Sequence, residues 1–454
     1  MRIRLPCHRG AAGTMRVVTA TAPRTALGDL LVIEGGHPLQ GRIRVGGNKN
    51  GALPIVAACL LTDQECVIEN VPRIRDVEVM AELVASTGAE VEWVEQNTLR
   101  IRAAGDLTPS IDRALSVRIR ASILLAGPLL ARCGSVLVPP PGGDVIGRRR
   151  IDTHLHAFAA LGAAVEVDRD FSLTAPGGLS GARFFMDEPS VTATENAVMA
   201  AVLAKGETTL INAACEPHVQ DLCRFLVAMG AEIDGIGSNI LRIHGRASLG
   251  GATHRIGPDH IEVASFIGLA AVTPGELVIE DVEPEDLHPV LNGFERLGVR
   301  IALDGRTLTV PDDQDLEIRD DFGGQVPKLE DGPWPQFPAD LTSIAVAVAT
   351  QAKGTVLVFE KMFENRLVFT DKLVSMGARI VLCDPHRAII TGPSRLVGER
   401  VESPDIRAGM AMLIAALAAE GTTTIGNVGQ IDRGYERIDE RLRALGARIE
   451  RVRG

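Results

Sequence analysis

Residues 139–150 read Pro-Pro-Pro-Gly-Gly-Asp-Val-Ile-Gly-Arg-Arg-Arg. The prolines and glycines bar a helix interior and a central strand, so the segment is predicted to be a loop. It carries one carboxylate, Asp144, and ends in three consecutive arginines, Arg148, Arg149 and Arg150. Guanidinium forks clamp phosphate or carboxylate, and a positioned acid moves a proton. Such a loop could close over an anionic substrate, or it could be a surface turn. Other charged groups stand in short polar runs: Lys49 in Asn48-Lys49-Asn50, Arg120, Asp340 in Phe337-Pro338-Ala339-Asp340, Arg366 in Phe363-Glu364-Asn365-Arg366, Arg407 in Asp405-Ile406-Arg407, and Arg433 in Asp432-Arg433-Gly434-Tyr435-Glu436-Arg437. His154 and His156 make an H-x-H pair. On a helix the two face different ways, so a zinc site is not indicated and no metal is implied.

The elements that must position these groups follow an internal repeat. A Gly-Ala-like turn recurs at Gly88, Gly162, Gly230, Gly298, Gly377 and Gly446, with gaps of 74, 68, 68, 79 and 69 residues. An amphipathic helical pattern precedes each one. Before Gly230 the apolar positions are Leu222, Phe225, Leu226 and Met229, on one helical face. Each glycine therefore fits a helix C′ position with positive φ. Short β-rich runs begin in phase, near Glu65, Gly134, Gly206, Gly275, Gly354 and Gly421, each after an Ala/Leu-rich helix. The unit reads helix, strand, turn, helix, Gly, strand, strand. Six such α/β units suit two three-unit domains better than an open solenoid, whose repeats are shorter. Within the repeat, Lys49, Arg120, Asp340 and Arg407 fall at the start of a first helix. Arg149, Arg366 and Arg433 fall near the start of a second. Helix N-termini already favour anions, so cations gathered there oppose the dipole unless an anionic ligand joins them.

Composition narrows the classes. The chain has 454 residues, 46% apolar and 3% aromatic, so Val, Ile, Leu and Ala must build the core. A formal net charge of -11 and the lack of aromatic platforms argue against a nucleic-acid partner. Seven cysteines (Cys7, Cys59, Cys66, Cys133, Cys215, Cys223 and Cys383), an odd count without C-x-x-C, suggest neither a disulfide framework nor zinc, and point to a reducing, cytoplasmic compartment. No apolar run is long enough for a membrane span. Residues 1–30 lack both periodicity and the apolar stretch of a signal peptide, so they are expected to be a disordered tail, with Met15 an alternative start.

Together the Asn-Lys-Asn, loop, Phe-Pro-Ala-Asp, Phe-Glu-Asn-Arg, Asp-Ile-Arg and Asp-Arg-Gly-Tyr-Glu-Arg motifs resemble those of the enolpyruvyl transferases, over about residues 31–454. The likeness is strongest to the branch that uses a nucleotide sugar. It implies an inside-out α/β barrel of two pseudo-symmetric domains, each of three βαβαββ units. One domain would be discontinuous, 31–47 plus 258–454. The other, 48–257, would be inserted and carry the catalytic loop 139–150. The implied reaction moves enolpyruvyl from phosphoenolpyruvate to the 3-hydroxyl of UDP-N-acetylglucosamine, releasing phosphate, with no cofactor. Carried over position by position, Lys49, Asn50, Arg149, Arg366, Arg407 and Arg433 would bind phosphoenolpyruvate. Asp340 would be the base. Arg120, Arg149, Arg150, Ile151, Asp152, Thr153, Glu188, Pro189, Ser190, Val191, Asp340 and Met362 would bind the nucleotide sugar. The family usually has cysteine where Asp144 stands, as the acid that protonates the enol, and fosfomycin alkylates that cysteine. The resemblance therefore implies a fosfomycin-insensitive variant. The family also often has Lys at Glu188 and Pro at Arg150, and Arg150 could supply the displaced charge. An enolpyruvyl transferase acting on another nucleotide such as UMP, and a non-catalytic descendant, are the alternatives.

Overall fold

The structure is a computed structural model describing residues 28–453, apart from Val145 and Arg148. Apart from the short Arg113–Ser116, its α-helices divide by sequence into two kinds. Six are mostly apolar and bury most of their residues: Lys49–Ala58, Ala126–Cys133, Val191–Ala201, His260–Ala271, Thr342–Ala349 and Ile406–Ala418. A helix apolar on all sides must be surrounded by protein. Every residue of His260–Ala271 is buried, and so is every residue of Thr342–Ala349. Six others bury one face: Arg75–Ser86, Asp152–Ala160, Pro217–Ala228, His288–Arg296, Thr370–Ser375 and Ile438–Ala444. Each of these ends at the glycine expected from the repeat, and the six glycines have φ between 83° and 108°. At Gly162 both closing bonds form: Gly162 N–H donates to Ala159 O (3.0 Å) and Ala163 N–H to Phe158 O (3.0 Å). That crossed pair satisfies carbonyls the helix leaves open and requires the left-handed residue.

Among the described residues the strands form five four-stranded sheets and one three-stranded sheet. Each four-stranded sheet has one parallel pair and two antiparallel ones. In the three-stranded sheet an isolated parallel bridge, Ser110 to Leu137, stands where the others place the parallel strand. The strands bury alternate residues, as in Glu65–Glu69, where Cys66 and Ile68 face in. One sheet face therefore covers helices while the other meets solvent. The result is a mixed α/β fold with helices at the centre.

The chain order is not simple. Strand Gly41–Arg44 pairs with Leu277–Glu280, whereas Thr253–Arg255 pairs with Glu65–Glu69. The chain thus crosses between two packed bodies at residues 46–48 and recrosses at 257–259. The crossings lie side by side: Asn48 N–H donates to Gly257 O (2.8 Å) and Asp259 N–H to Gly46 O (3.0 Å). Gly47 has to be glycine here, because a Cβ would lie 1.8 Å from the Asn70 carbonyl oxygen. Two buried apolar clusters follow the same division. One holds residues from 31–45 and 261–449, the other residues from 52–256.

Most of the tail expected over 1–30 lies outside the described residues, as do Met15 and Cys7. Its last two residues need correction. Leu30 opens a strand and pairs with Val452, and Asp29 faces Arg451 at 3.6 Å. These residues are held because the C-terminal strand Arg448–Val452 pairs with Leu30–Glu34, a partner remote in sequence. No helix among the described residues is long and apolar enough to cross a membrane.

Candidate active site

The two crossings bring helix starts from both bodies to one place. Lys49 is the first residue of its helix, with Asn48 as cap: the Asn48 side-chain oxygen accepts from Gly51 N–H (3.1 Å). Arg407 is the second residue of its helix, where Asp405 accepts from Arg407 N–H (2.8 Å) and Ala408 N–H (2.9 Å). Asp340 sits in the 3₁₀ turn Ala339–Leu341 before Thr342–Ala349, and Arg120 opens the turn that leads into Ala126–Cys133. Arg149, Arg366 and Arg433 precede second helices, as the repeat predicts. Together they line a cavity of about 260 Å³, with Asp76, Asp144 and apolar residues such as Leu124, Ile146 and Phe363. In a chain of net charge -11, six cations here face three aspartates.

The charges form two networks. In the first, Asp76 bridges Lys49 Nζ (3.2 Å) and Arg433 Nε (2.8 Å), while the other end of Arg433 is ion-paired with Asp144 and held by Gln430 (2.8 Å). In the second, Asp340 accepts from Arg366 (3.0 Å) through one oxygen and from Arg407 (3.1 Å) through the other. Arg407 is also held by Tyr435 Oη (3.0 Å), which in turn bonds Ser265 Oγ (2.8 Å). Tyr435, the one tyrosine of the sequence, is buried. Arg366 keeps one donor spare, because its buried Nε has no partner. Ile146, on the loop that carries Asp144 (the lid), accepts at its carbonyl from Asn365 N–H (3.1 Å).

At Asp340, Asp76, Arg120 and Arg149 burial works against the charge, and the partners decide the outcome. Burial alone would raise Asp340, but Arg407, Arg366 and Lys49 outweigh it and hold the carboxyl well below the usual range. Burial also raises Asp76, and Lys49 and Arg433 reverse that to a net lowering. Arg120 has no acid to compensate: burial, then Arg149, push it down to about 10. Arg149 is lowered too, by burial with Arg366 and Arg433 adding, against Asp144 and Asp340. Two partly buried guanidinium groups that lack full compensation are what an incoming polyanion would supply with partners.

The depressed Asp340 has a measurable consequence. Its unfolded value is about 3.9, so the stability it contributes is complete above that value and is lost as pH falls toward its folded one. The melting temperature of the wild type should therefore fall more steeply than that of Asp340→Asn between about pH 5 and about pH 3. Equal slopes by calorimetry would remove Asp340 from the linkage.

The residues expected to hold the nucleotide sugar are divided. Arg120, Arg149, Val191, Asp340 and Met362 line the cavity, as does Asn50. Arg150, Ile151, Asp152, Thr153, Glu188, Pro189 and Ser190 lie outside its lining, on the run into Asp152–Ala160 and the turn before Val191–Ala201. There Arg150 pairs with Asp152 (2.5 Å), and Thr153 Oγ1 donates to Asp187 (2.6 Å) and reaches Glu188 (3.4 Å). Arg120 spans the two groups, donating to the carbonyls of Arg149 (2.8 Å) and Arg150 (3.1 Å). His154 and His156 diverge: His154 is buried against Thr192 (3.1 Å) and Asn196 (2.9 Å), and His156 is exposed. The sequence reading missed Asp76, Glu195, Glu216, His218, His260 and Trp334, all of which line the cavity.

A helix-centred α/β fold whose two bodies close an arginine-rich cavity has counterparts among known proteins. The chain belongs to the EPSP synthase (3-phosphoshikimate 1-carboxyvinyltransferase) family, which it matches over residues 33–442. It is 63% identical over 421 residues to the UDP-N-acetylglucosamine 1-carboxyvinyltransferase of Bradyrhizobium diazoefficiens, covering 93% of this chain and 97% of that protein. Identity to the protein of the same name from Treponema denticola is 55% over 419 residues, or 92% and 98% of the two chains. Among solved structures, the enolpyruvyl transferase NikO from Streptomyces tendae superposes with a TM-score of 0.83 at 25% identity, over 94% of this chain and all of that one. EPSP synthase from Acinetobacter baumannii gives 0.73 at 17% identity, over 94% of this chain and all of that one, a likeness of fold.

Proposed function

We propose that the protein transfers enolpyruvyl from phosphoenolpyruvate to the 3-hydroxyl of UDP-N-acetylglucosamine, the first committed step of peptidoglycan synthesis, in the cytoplasm. The observation that carries this reading is the cavity itself: six cations and three aspartates gathered from both bodies, in a chain 63% identical to a protein named for that reaction. Neither a nucleic acid nor a membrane takes part in this reading.

The chemistry distributes over the two networks. Phosphoenolpyruvate is bound by Lys49, Asn50, Arg149, Arg366, Arg407 and Arg433, whose forks suit its phosphate and carboxylate. The sugar oxygen bonds to C2 of the enol as its proton passes to Asp340. At the same time Asp144 protonates the methylene carbon, giving a methyl group and a tetrahedral intermediate. That methyl then returns a proton to the Asp144 carboxylate, its C–H electrons form the C=C bond, and the C2–O bond breaks with its electrons leaving on phosphate. In the free protein Asp340 is paired with Arg366 and Arg407, and Asp144 with Arg433. Substrate anions compete for those arginines, which returns basicity to Asp340 and frees Asp144 to carry a proton. The nucleotide moiety lies along Arg120, Arg149–Thr153 and Glu188–Val191, with Met362 opposite. Arg150, which shares the Asp152–Asp187 corner with Thr153, offsets the acid at Glu188.

The same reading takes the architecture as an inside-out barrel of two three-unit domains, 31–47 plus 258–454 and 48–257. The division of the apolar clusters and the paired crossings support it. The test is phosphate release from phosphoenolpyruvate with UDP-N-acetylglucosamine beside UMP as acceptor. Release with the nucleotide sugar alone is expected. Release with UMP alone would replace the acceptor.

A further inference from the structure

One wall of the cavity is used by neither charge network. Glu195, fifth in the helix Val191–Ala201, is 1% exposed, and its Oε1 has no hydrogen-bond partner. Glu216 precedes Pro217–Ala228, and its buried Oε2 likewise has none. His218, two residues on, is 7% exposed with Nδ1 unpartnered, its ring stacked on His260 at 6.2 Å between centroids. All three line the cavity. Buried polar atoms are nearly always paired, because leaving one unpaired costs its full desolvation. Three unpaired atoms on one wall of an open cavity are partners waiting for a ligand.

We propose that Glu195, Glu216 and His218 recognise the sugar of the acceptor through its hydroxyl and acetamido N–H groups, and so discriminate it from the bare nucleotide. This rests on the acceptor reading above. The wall is chemically unlike the cationic floor. Burial raises Glu195 well above the carboxylate range and Glu216 adds to it; burial raises Glu216, with backbone N–H groups offsetting part. Burial, then His260, lower His218 to about 3, so its imidazole is neutral. A carboxyl accepts through its oxygens and, once protonated, also donates; a neutral imidazole does both through its two nitrogens. Such a surface matches a polyhydroxyl ring and has little to offer a phosphate. A site built to hydrogen-bond a hydroxyl also rejects ligands that lack one.

The test is calorimetric titration of the full chain with UDP-N-acetylglucosamine and with UDP. Glu195→Leu and Glu216→Leu should weaken the nucleotide sugar roughly tenfold or more, leave UDP within about twofold, and not lower the melting temperature, since a desolvated acid has been removed. Glu195→Gln and Glu216→Gln, which still donate and accept, should stay within about threefold of wild type for both ligands. His218→Phe, which keeps the stack on His260, should show the same sugar-selective loss even where a leucine variant does not fold. Equal weakening of both ligands, or of neither, overturns the proposal. Wild type without affinity for UDP-N-acetylglucosamine would overturn the acceptor reading, and this inference with it.

Discussion

Asp340→Asn is expected to cut phosphate release by on the order of 10³-fold, the scale of a lost general base. The amide keeps the shape but cannot take the sugar proton. It also leaves Arg366 and Arg407, each 3% exposed, without their shared counter-charge, and a broken buried pair costs about 3–5 kcal/mol. The two effects separate with Asp340→Glu. That variant keeps the charge among the arginines and displaces the carboxylate from the acceptor oxygen. It should therefore hold most of the wild-type melting temperature and still lose at least about 10²-fold in rate. Steady-state phosphate release beside thermal unfolding checks both. A fast Asp340→Asn enzyme would move the base elsewhere, and Asp76, with both oxygens engaged by Lys49 and Arg433, is poorly placed to replace it.

The second large effect belongs to Asp144. Asp144→Ala should lose about 10²- to 10⁴-fold in rate, because nothing else on the lid can protonate the methylene carbon. Asp144→Cys should retain much more of the rate, since a thiol can donate the same proton. It should also acquire covalent inactivation by fosfomycin, its thiolate opening the epoxide to form a thioether. Wild type should show no adduct by mass spectrometry. An adduct on wild type, or a fully active Asp144→Ala, would take the lid acid out of the mechanism. Because Asp144 shares Arg433 with Asp76 and Gln430, both variants also free one end of the Arg433 guanidinium for an incoming anion. Phosphoenolpyruvate should accordingly show no loss of affinity in either.

The sequence made the periodic features legible. Six glycines after amphipathic helices could be read because C′ geometry requires positive φ, and six cations could be grouped because they fall at matching points of the repeat. The residues it hid are those whose local surroundings explain them away. Asp76 opens the helix Arg75–Ser86, where an acid simply complements the dipole; only the fold brings it to Lys49 and Arg433 from opposite bodies. Glu195 and Asn196 stand in the middle of the buried helix Val191–Ala201, a signal that it carries polar function, yet sequence alone does not say which side faces a cavity. His218 and Trp334 meet only through tertiary packing on His260. Leu30 reads as tail in the sequence because its partner strand is the last in the chain.

The central claim is that this cavity joins enolpyruvyl to a nucleotide sugar by addition and elimination. The direct measurement is mass spectrometry of UDP-N-acetylglucosamine incubated with the protein and phosphoenolpyruvate in heavy water. The expected product is a nucleotide sugar enlarged by one enolpyruvyl group that carries deuterium at its methylene, since the transient methyl exchanges one of its hydrogens. Unchanged UDP-N-acetylglucosamine, or an enolpyruvyl product free of deuterium, would contradict it.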